Sequence, residues 1–219
     1  MLTYTLGMRF RKLPRSFYLR PTLTIAKQLL GKYLCRRIGS SRLQRGKKLL
    51  IGKIVEVEAY LGEKDPASHA YRGKTKRNEV MFRIGGYLYV YFTYGMHFCA
   101  NVVTEKEGVP HAVLIRGVEP IQGIEMMIEN RSKGQRGVTE HWSDGVPKDL
   151  TNGPAKLCEA FCIARAQNGT DLLANEIFIV EGETILKSEI GISTRIGIRY
   201  AAEKKWRFYV KGNMFVSKQ

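Results

Sequence analysis

The residues able to do chemistry are concentrated between positions 51 and 117. In IGKIVEVEAYL, residues 51–61, two glutamates and a tyrosine recur at every second position. Strand alternation sends Ile54, Glu56, Glu58 and Tyr60 to one side and Val55, Val57 and Ala59 to the other. Two carboxylates and a phenol therefore share a face. Two readings of that pair stand open. In a chain this rich in Lys and Arg, the acids serve as ion-pair partners. Alternatively one is a general base, which needs a positioned carboxylate near a reacting water and a ring that excludes solvent and tunes its pKa. His69 is the single histidine of the aperiodic stretch 62–83, where an imidazole is either solvated or functional. Arg116 ends the apolar run HAVLIRG, residues 111–117. A charge at the end of a buried strand needs a partner, which Glu58 or a phosphate could supply.

The stretch GGYLYVYFTYGMHFCAN, residues 85–101, supplies the aromatic surface. It reads as a β-hairpin, with Tyr87, Tyr89 and Tyr91 on one face and Leu88, Val90 and Phe92 on the other, the latter facing a core. Thr93-Tyr94-Gly95-Met96 breaks the alternation, Gly95 is free to take positive φ, and the chain returns through His97, Phe98, Cys99 and Asn101. Tyr94 falls at the tip. A large ring at an exposed turn suits a partner, whereas tyrosines along a strand face are ordinary packing material.

Other elements must position these residues. The stretch 62–83 is predicted to be a long loop joining the carboxylate strand to the hairpin, and loops of that length in a single domain are usually functional. Its Arg72, Lys74, Lys76, Arg77 and Arg83 suit phosphate contact. Residues 1–20 read as an irregular basic lead-in. Leu23, Ala26, Leu29 and Leu30 share one face of a short helix that Gly31 stops, before a strand over 32–38 and a polar turn over 39–48. Ile121, Ile124, Met127 and Ile128 predict an amphipathic helix over 121–130, followed by a polar loop over 132–150. Thr151-Asn152-Gly153-Pro154 announces a helix carrying Leu157, Phe161 and Ala164, whose first amides could face a phosphate. Cys158 and Cys162 lie one turn apart on it, but no matching Cys or His pair stands elsewhere to complete a metal site. Strand-like runs at 177–180, 190–198 and 206–211 complete a mostly antiparallel sheet. No repeat, Walker loop or dinucleotide fingerprint appears.

At 219 residues, with no linker-like composition shift, the chain is expected to form one domain. Its 36 Lys plus Arg against 20 Asp plus Glu give a net charge of +16, which favours a polyanionic partner, nucleic acid first. A basic binding protein without chemistry fits the charge equally well. No run approaches the ~20 apolar residues of a membrane span, and the N-terminus has neither an apolar core nor a small-residue cleavage site. A soluble protein without a membrane partner is expected. Cys35, Cys99, Cys158 and Cys162 are scattered and suit a reducing compartment.

Taken together, VEAYLG at 57–62, His69, RN at 77–78, MF at 81–82, YVYFTYGMHFCAN at 89–101, LIRGVEP at 114–120, NGPAKLC at 152–158 and RFYVKG at 207–212 closely resemble the alkyladenine (3-methyladenine) DNA glycosylase family. The resemblance runs from about residue 13 to residue 217. It implies an α+β fold: a single mixed domain on a curved, mostly antiparallel β-sheet with flanking helices and a protruding β-hairpin. It implies a monofunctional glycosylase of base excision repair that flips a damaged purine, of the 3-methyladenine, 7-methylguanine, hypoxanthine or ethenoadenine type, from duplex DNA and hydrolyses its N-glycosidic bond. By that resemblance Glu58 is the general base, with His69 and Arg116 holding the water and its charge. Tyr60 on one side and His69 and Tyr91 on the other wall the extruded base, Ala67 joins the base-binding set, and Asn101 clashes with the 2-amino group of guanine. Tyr94 fills the gap left in the duplex, with Met96, Arg72, Lys76 and Arg77 against the DNA. Hydrolysis of this kind requires no metal or other cofactor. The expected partner is double-stranded DNA carrying damaged purines, met as a monomer in the prokaryotic cytoplasm at the nucleoid or in a eukaryotic nucleus. His97 and His111-Ala112 depart from the family pattern and bear on lesion preference.

Overall fold

The computed structural model describes residues 11–39, 48–93, 95–133 and 145–218; Tyr94 and much of the polar loop after Ser132 lie outside them. The chain is built on β1 (Tyr33–Ile38), β2 (Lys48–Leu61), β3 (Leu88–Thr93), β4 (His97–Thr104), β5 (His111–Gln122), β6 (Ile177–Val180), β7 (Ile190–Ser193) and β8 (Arg207–Val210). Helices α1 (Arg15–Tyr18), α2 (Thr22–Leu29), α3 (Ile124–Lys133) and α4 (Pro154–Ala160) flank them. The strands make one sheet in the order β3-β4-β5-β2-β1-β6, with β8 also on β2 and β7 on β8. Every pairing is antiparallel. The result is a single α+β domain on a curled antiparallel sheet, as expected.

The central strand, β2, is where the curl originates. Its first half pairs with β1 through residues 48–53 and its second with β8 through residues 56–58, so one edge is shared by two strands in succession. Between them the register against β5 slips at Ile54/Glu56 and again at Glu56/Val57. A bulge adds a residue to one strand, increases the local twist and inverts side-chain parity. Simple alternation therefore fails at two positions. Ile54 lies in the main core with Val57 and Ala59, whereas Val55 packs on the other side against Phe215 and Val216.

The hairpin has the predicted faces over residues 87–91. Leu88 and Val90 enter the main core, while Tyr89, with Tyr87 and Tyr91 against it, closes a second cluster with Ala70, Val80, Met81, Val103 and Ala112. The apolar face leaves the core at Phe92, which is exposed and pairs with Phe98 at 5.1 Å between ring centroids. Residues 62–83 form the expected loop, broken only by short 3-10 turns at Gly62–Lys64 and Glu79–Phe82.

Several boundaries move. The lead-in is part of the fold from Lys12, which bridges to Val180. Leu13 and Tyr18 are fully buried, and Arg15–Tyr18 is helical rather than irregular. Ile25, not Leu23, joins Ala26 and Leu29 in the buried face of α2. Strand β5 runs through Glu119 and Pro120 to Gln122, so the following helix begins at Ile124 instead of Ile121. Helix α4 ends at Ala160, and Cys162 lies beyond it at φ 52°, exposed, while Cys158 is buried. Strand β7 stops at Ser193, leaving residues 194–206 as a loop.

Candidate active site

Cross-strand partners in an antiparallel sheet point to the same face. Tyr89 opposes Asn101, Asn101 opposes Leu114, Leu114 opposes Glu58, and Glu58 opposes Arg207. Five strands thus bring one row of side chains to one side of the curled sheet. The next row toward the loop is Tyr60, Ala112 and Val103. Over these rows lies a cleft of about 750 Å³. Tyr60, Tyr89, Tyr91, Asn101, Leu114 and Arg116 line it from the sheet, Ala67 and His69 from the 62–83 loop, and residues 196–200 from the loop after β7.

The geometry distinguishes the two glutamates by their partners. Glu56 is fully buried. Its Oε1 accepts from Arg116 Nε (3.1 Å), Arg207 Nε (2.7 Å) and Ser217 Oγ (2.9 Å), and its Oε2 from the Ser217 amide (2.7 Å). It is the ion-pair partner. Glu58, equally buried, lies under the Tyr60 edge of the cleft. Its Oε2 accepts the Tyr60 hydroxyl at 2.8 Å, and its Oε1 accepts the Ile196 amide at 2.7 Å and faces Arg116 Nη1 at 3.3 Å. Burial raises its pKa above the ordinary carboxylate value, against the downward pull of Arg116, the Ile196 amide and Tyr60. Arg116 spans both acids and lines the cleft. A carboxylate with raised pKa beside an oriented cation can take a proton from water and stabilise positive charge in a sugar.

His69 opens onto the cleft, exposed on that side, yet its inner edge is crowded. Nδ1 lies 3.0 Å from the Tyr89 hydroxyl, and its ring meets Tyr91 edge-on at 4.4 Å between centroids. This crowding, then the Arg77 charge, lowers its pKa to about 4, so the imidazole is neutral at physiological pH. Burial also pushes the Tyr89 phenol up to about 12, and Tyr60 and Tyr91 higher still. All three stay protonated donors. Asn101 is fixed on the wall by Nδ2 donating to the Tyr89 carbonyl at 3.1 Å.

The structure thus gathers Tyr60, Ala67, His69, Tyr91, Asn101 and Arg116 around one cleft, with Glu58 buried behind the wall on the Tyr60 hydroxyl. Arg72, Lys74, Lys76 and Arg77 are exposed on the adjoining loop, and Arg77 reaches back to the Phe92 carbonyl at 3.3 Å. Met96 is 70% exposed beside the hairpin turn, while Tyr94 lies outside the described residues. Of the departures from the family pattern, Ala112 lines the cleft, whereas His97 contacts Glu159 (3.2 Å), and His111 contacts Glu105 (2.9 Å) and Thr22 (3.0 Å). Sequence reasoning missed the Ile196 amide, Leu114 and the Arg207 and Ser217 partners of Glu56. Leu114 and Arg207 carried a signal, as the first residues of the LIRGVEP and RFYVKG runs.

The family model described as methylpurine-DNA glycosylase (MPG) matches residues 16–214. A protein of Clostridium acetobutylicum is 47% identical over 211 residues, 94% of this chain and 97% of its own. One of Carboxydothermus hydrogenoformans is 48% identical, covering 94% and 99%. One of the archaeon Methanocella arvoryzae is 46% identical, covering 94% and 96%. All three bear the name "Putative 3-methyladenine DNA glycosylase". A match of that length, on a chain whose sheet register assembles an acid, an arginine and an aromatic slot, places this protein in the methylpurine-DNA glycosylase family.

Proposed function

We propose that this chain is a DNA glycosylase that removes damaged purines, 3-methyladenine foremost and with it 7-methylguanine, hypoxanthine and ethenoadenine, by hydrolysis of the N-glycosidic bond. The observation that carries the reading is Glu58: a fully buried carboxylate of raised pKa, held by the Tyr60 hydroxyl, the Ile196 amide and Arg116 at the wall of an aromatic cleft. Glu56 and Glu58 together offset the charges of Arg116 and Arg207, but only Glu58 also holds the hydroxyl of Tyr60 on the cleft wall, a contact that a binding module without catalysis does not need. In the reaction the purine, rotated out of the duplex, stacks between Tyr60 and the His69–Tyr91 pair. Glu58 takes a proton from water as its oxygen bonds to C1′ of the sugar, and the electrons of the broken C1′–N bond leave with the purine. Arg116 and neutral His69 hold that water. Asn101 meets the groove edge of the base and excludes the 2-amino group of guanine. Tyr94 occupies the gap in the stack, with Met96 against the duplex, and Arg72, Lys76 and Arg77 take phosphates. Among the described residues no helix is long and apolar enough to cross a membrane; the protein is read as acting on DNA as a monomer. Incubating the protein with duplex DNA containing hypoxanthine or an alkylated purine, then cleaving with alkali, tests the reading directly. Strand breaks at the lesion are expected, and binding without breaks would leave only the binding-module alternative.

A further inference from the structure

A second buried ion pair adjoins the cleft and is used by none of the roles above. Asp65 and Arg195 have no solvent-exposed side-chain surface. They meet through two parallel bonds, Nη1 to Oδ2 at 2.5 Å and Nη2 to Oδ1 at 2.9 Å. Taking two charges out of water is expensive, and a well-packed apolar pair often serves stability as well or better. The contacts around this pair point instead to the site. The Arg195 guanidinium lies 4.6 Å from the centroid of the Tyr60 ring and 5.0 Å from that of Trp206, and Nη1 also donates to the Ala59 carbonyl at 3.0 Å. Its Nε has no hydrogen-bond partner among the described residues, a cost offset by the two aromatic faces. The residue that follows Arg195 is Ile196, whose amide holds Glu58. Asp65 in turn accepts the amides of Leu61 (3.3 Å) and Ala67 (3.1 Å), shaping the turn that leads to His69.

We infer that the Asp65–Arg195 pair is a positioning device for base excision: it sets the Tyr60 wall, the Ala67–His69 wall and the amide that orients Glu58 relative to one another, without touching the substrate. This rests on the glycosylase reading. The test is single-turnover excision of hypoxanthine from duplex DNA by the parent, Arg195→Lys and Asp65→Asn, across pH, with binding to an abasic-site duplex measured alongside. Lysine keeps a charge for Asp65 but lacks the fork and the flat face. Misplacement by about 1 Å costs ~10²-fold in rate, so the rate constant is expected to fall between ~10- and ~100-fold while abasic-site affinity stays near the parent's. The acid limb is expected to move to higher pH. Glu58 is faced by Arg116 from β5, by Glu56 and Tyr60 from its own strand, and by Tyr91 and Cys99 from the hairpin, with Arg207 opposite it on β8, and loosening the Ile196 amide removes a donor that favours its ionised form. A role confined to stability would lower the active fraction, counted by titration with an abasic-site duplex, and leave the rate constant at saturating protein and the acid limb of the folded molecules unchanged. That result overturns the inference. A parent that makes no abasic sites overturns the glycosylase reading and this inference together, whereas an active parent with unchanged variants overturns the inference alone.

Discussion

Glu56 and Glu58 stand two positions apart in the chain, and their surroundings differ. Four donors saturate Glu56, two of them arginines. Glu56→Gln leaves Arg116 and Arg207 short of a buried counter-charge, and breaking such a pair costs about 3–5 kcal/mol. Thermal or denaturant unfolding is expected to show that loss, and a parental melting curve would refute it. Glu58→Gln is expected to behave inversely. Excision falls by ~10² to 10⁴, the usual worth of a general base, while stability holds or rises, because burial already disfavours the ionised acid it replaces. The pH profile divides Glu58 from His69. The folded-state pKa of Glu58 lies above its ordinary value of 4.5, so excision should rise with pH along a limb above that value as the base deprotonates. His69, lowered to about 4, gains charge only in stronger acid and is neutral throughout that range. His69→Gln is therefore expected to reduce the rate yet leave the acid limb in place, as a pH series of single-turnover rates would show. A limb that vanished with His69 would reassign it.

At the scale of elements, the sequence is transparent where alternation runs unbroken and opaque where the backbone departs from it. Residues 87–91 alternate cleanly, and the tyrosine row and its core-facing partners lie where the pattern puts them. Residues 54–57 also alternate in sequence, yet the double register slip in β2 inverts Ile54 and Val55. A bulge among valines and glutamates has no side-chain signature, so parity alone cannot reveal it. The same limit hides the Ile196 amide, since any residue could supply it, and the Asp65–Arg195 contact, which joins positions 130 apart in the chain. Tyr60, Arg116 and the hairpin faces were legible as side-chain patterns, whereas the choice of Glu58 over Glu56 and the place of His69 came from the family resemblance. The hairpin turn remains to be tested through Tyr94, which lies outside the described residues. Extruding a base costs a few kcal/mol of stacking and pairing, and a ring filling the gap keeps the duplex from closing. Tyr94→Ser is expected to shift the equilibrium back toward the stacked base, with excision from stable pairs suffering most and from mismatches least. Stopped-flow fluorescence of an ethenoadenine duplex reads this directly. A mutant that flips and holds that base as the parent does would reduce Tyr94 to a surface ring.

At the scale of the whole molecule, the net charge of +16 acts before any lesion is recognised. Each phosphate neutralised by a Lys or Arg releases counterions, so the logarithm of affinity falls with the logarithm of salt by about 0.9 per contact. The exposed Arg72, Lys74, Lys76 and Arg77 stand on the loop that also delivers Ala67 and His69 to the cleft, which joins the electrostatic footprint to the site by a few residues of chain. Phosphate contacts carry no sequence information, so they should weigh equally on damaged and undamaged duplexes. The double substitution Arg72→Ala with Lys76→Ala is accordingly expected to flatten the salt slope by about 2 for both kinds of DNA while preserving the ratio of their affinities. The single-turnover rate at saturating protein should stay close to the parent's, because neither residue lines the cleft. Binding titrations at several salt concentrations on matched duplexes, with and without hypoxanthine, measure both quantities. If the affinity for damaged DNA fell while that for undamaged DNA held, these cations would be reading the lesion instead of the backbone, and the division of labour between a basic loop that gathers DNA and a neutral aromatic slot that selects the base would be wrong.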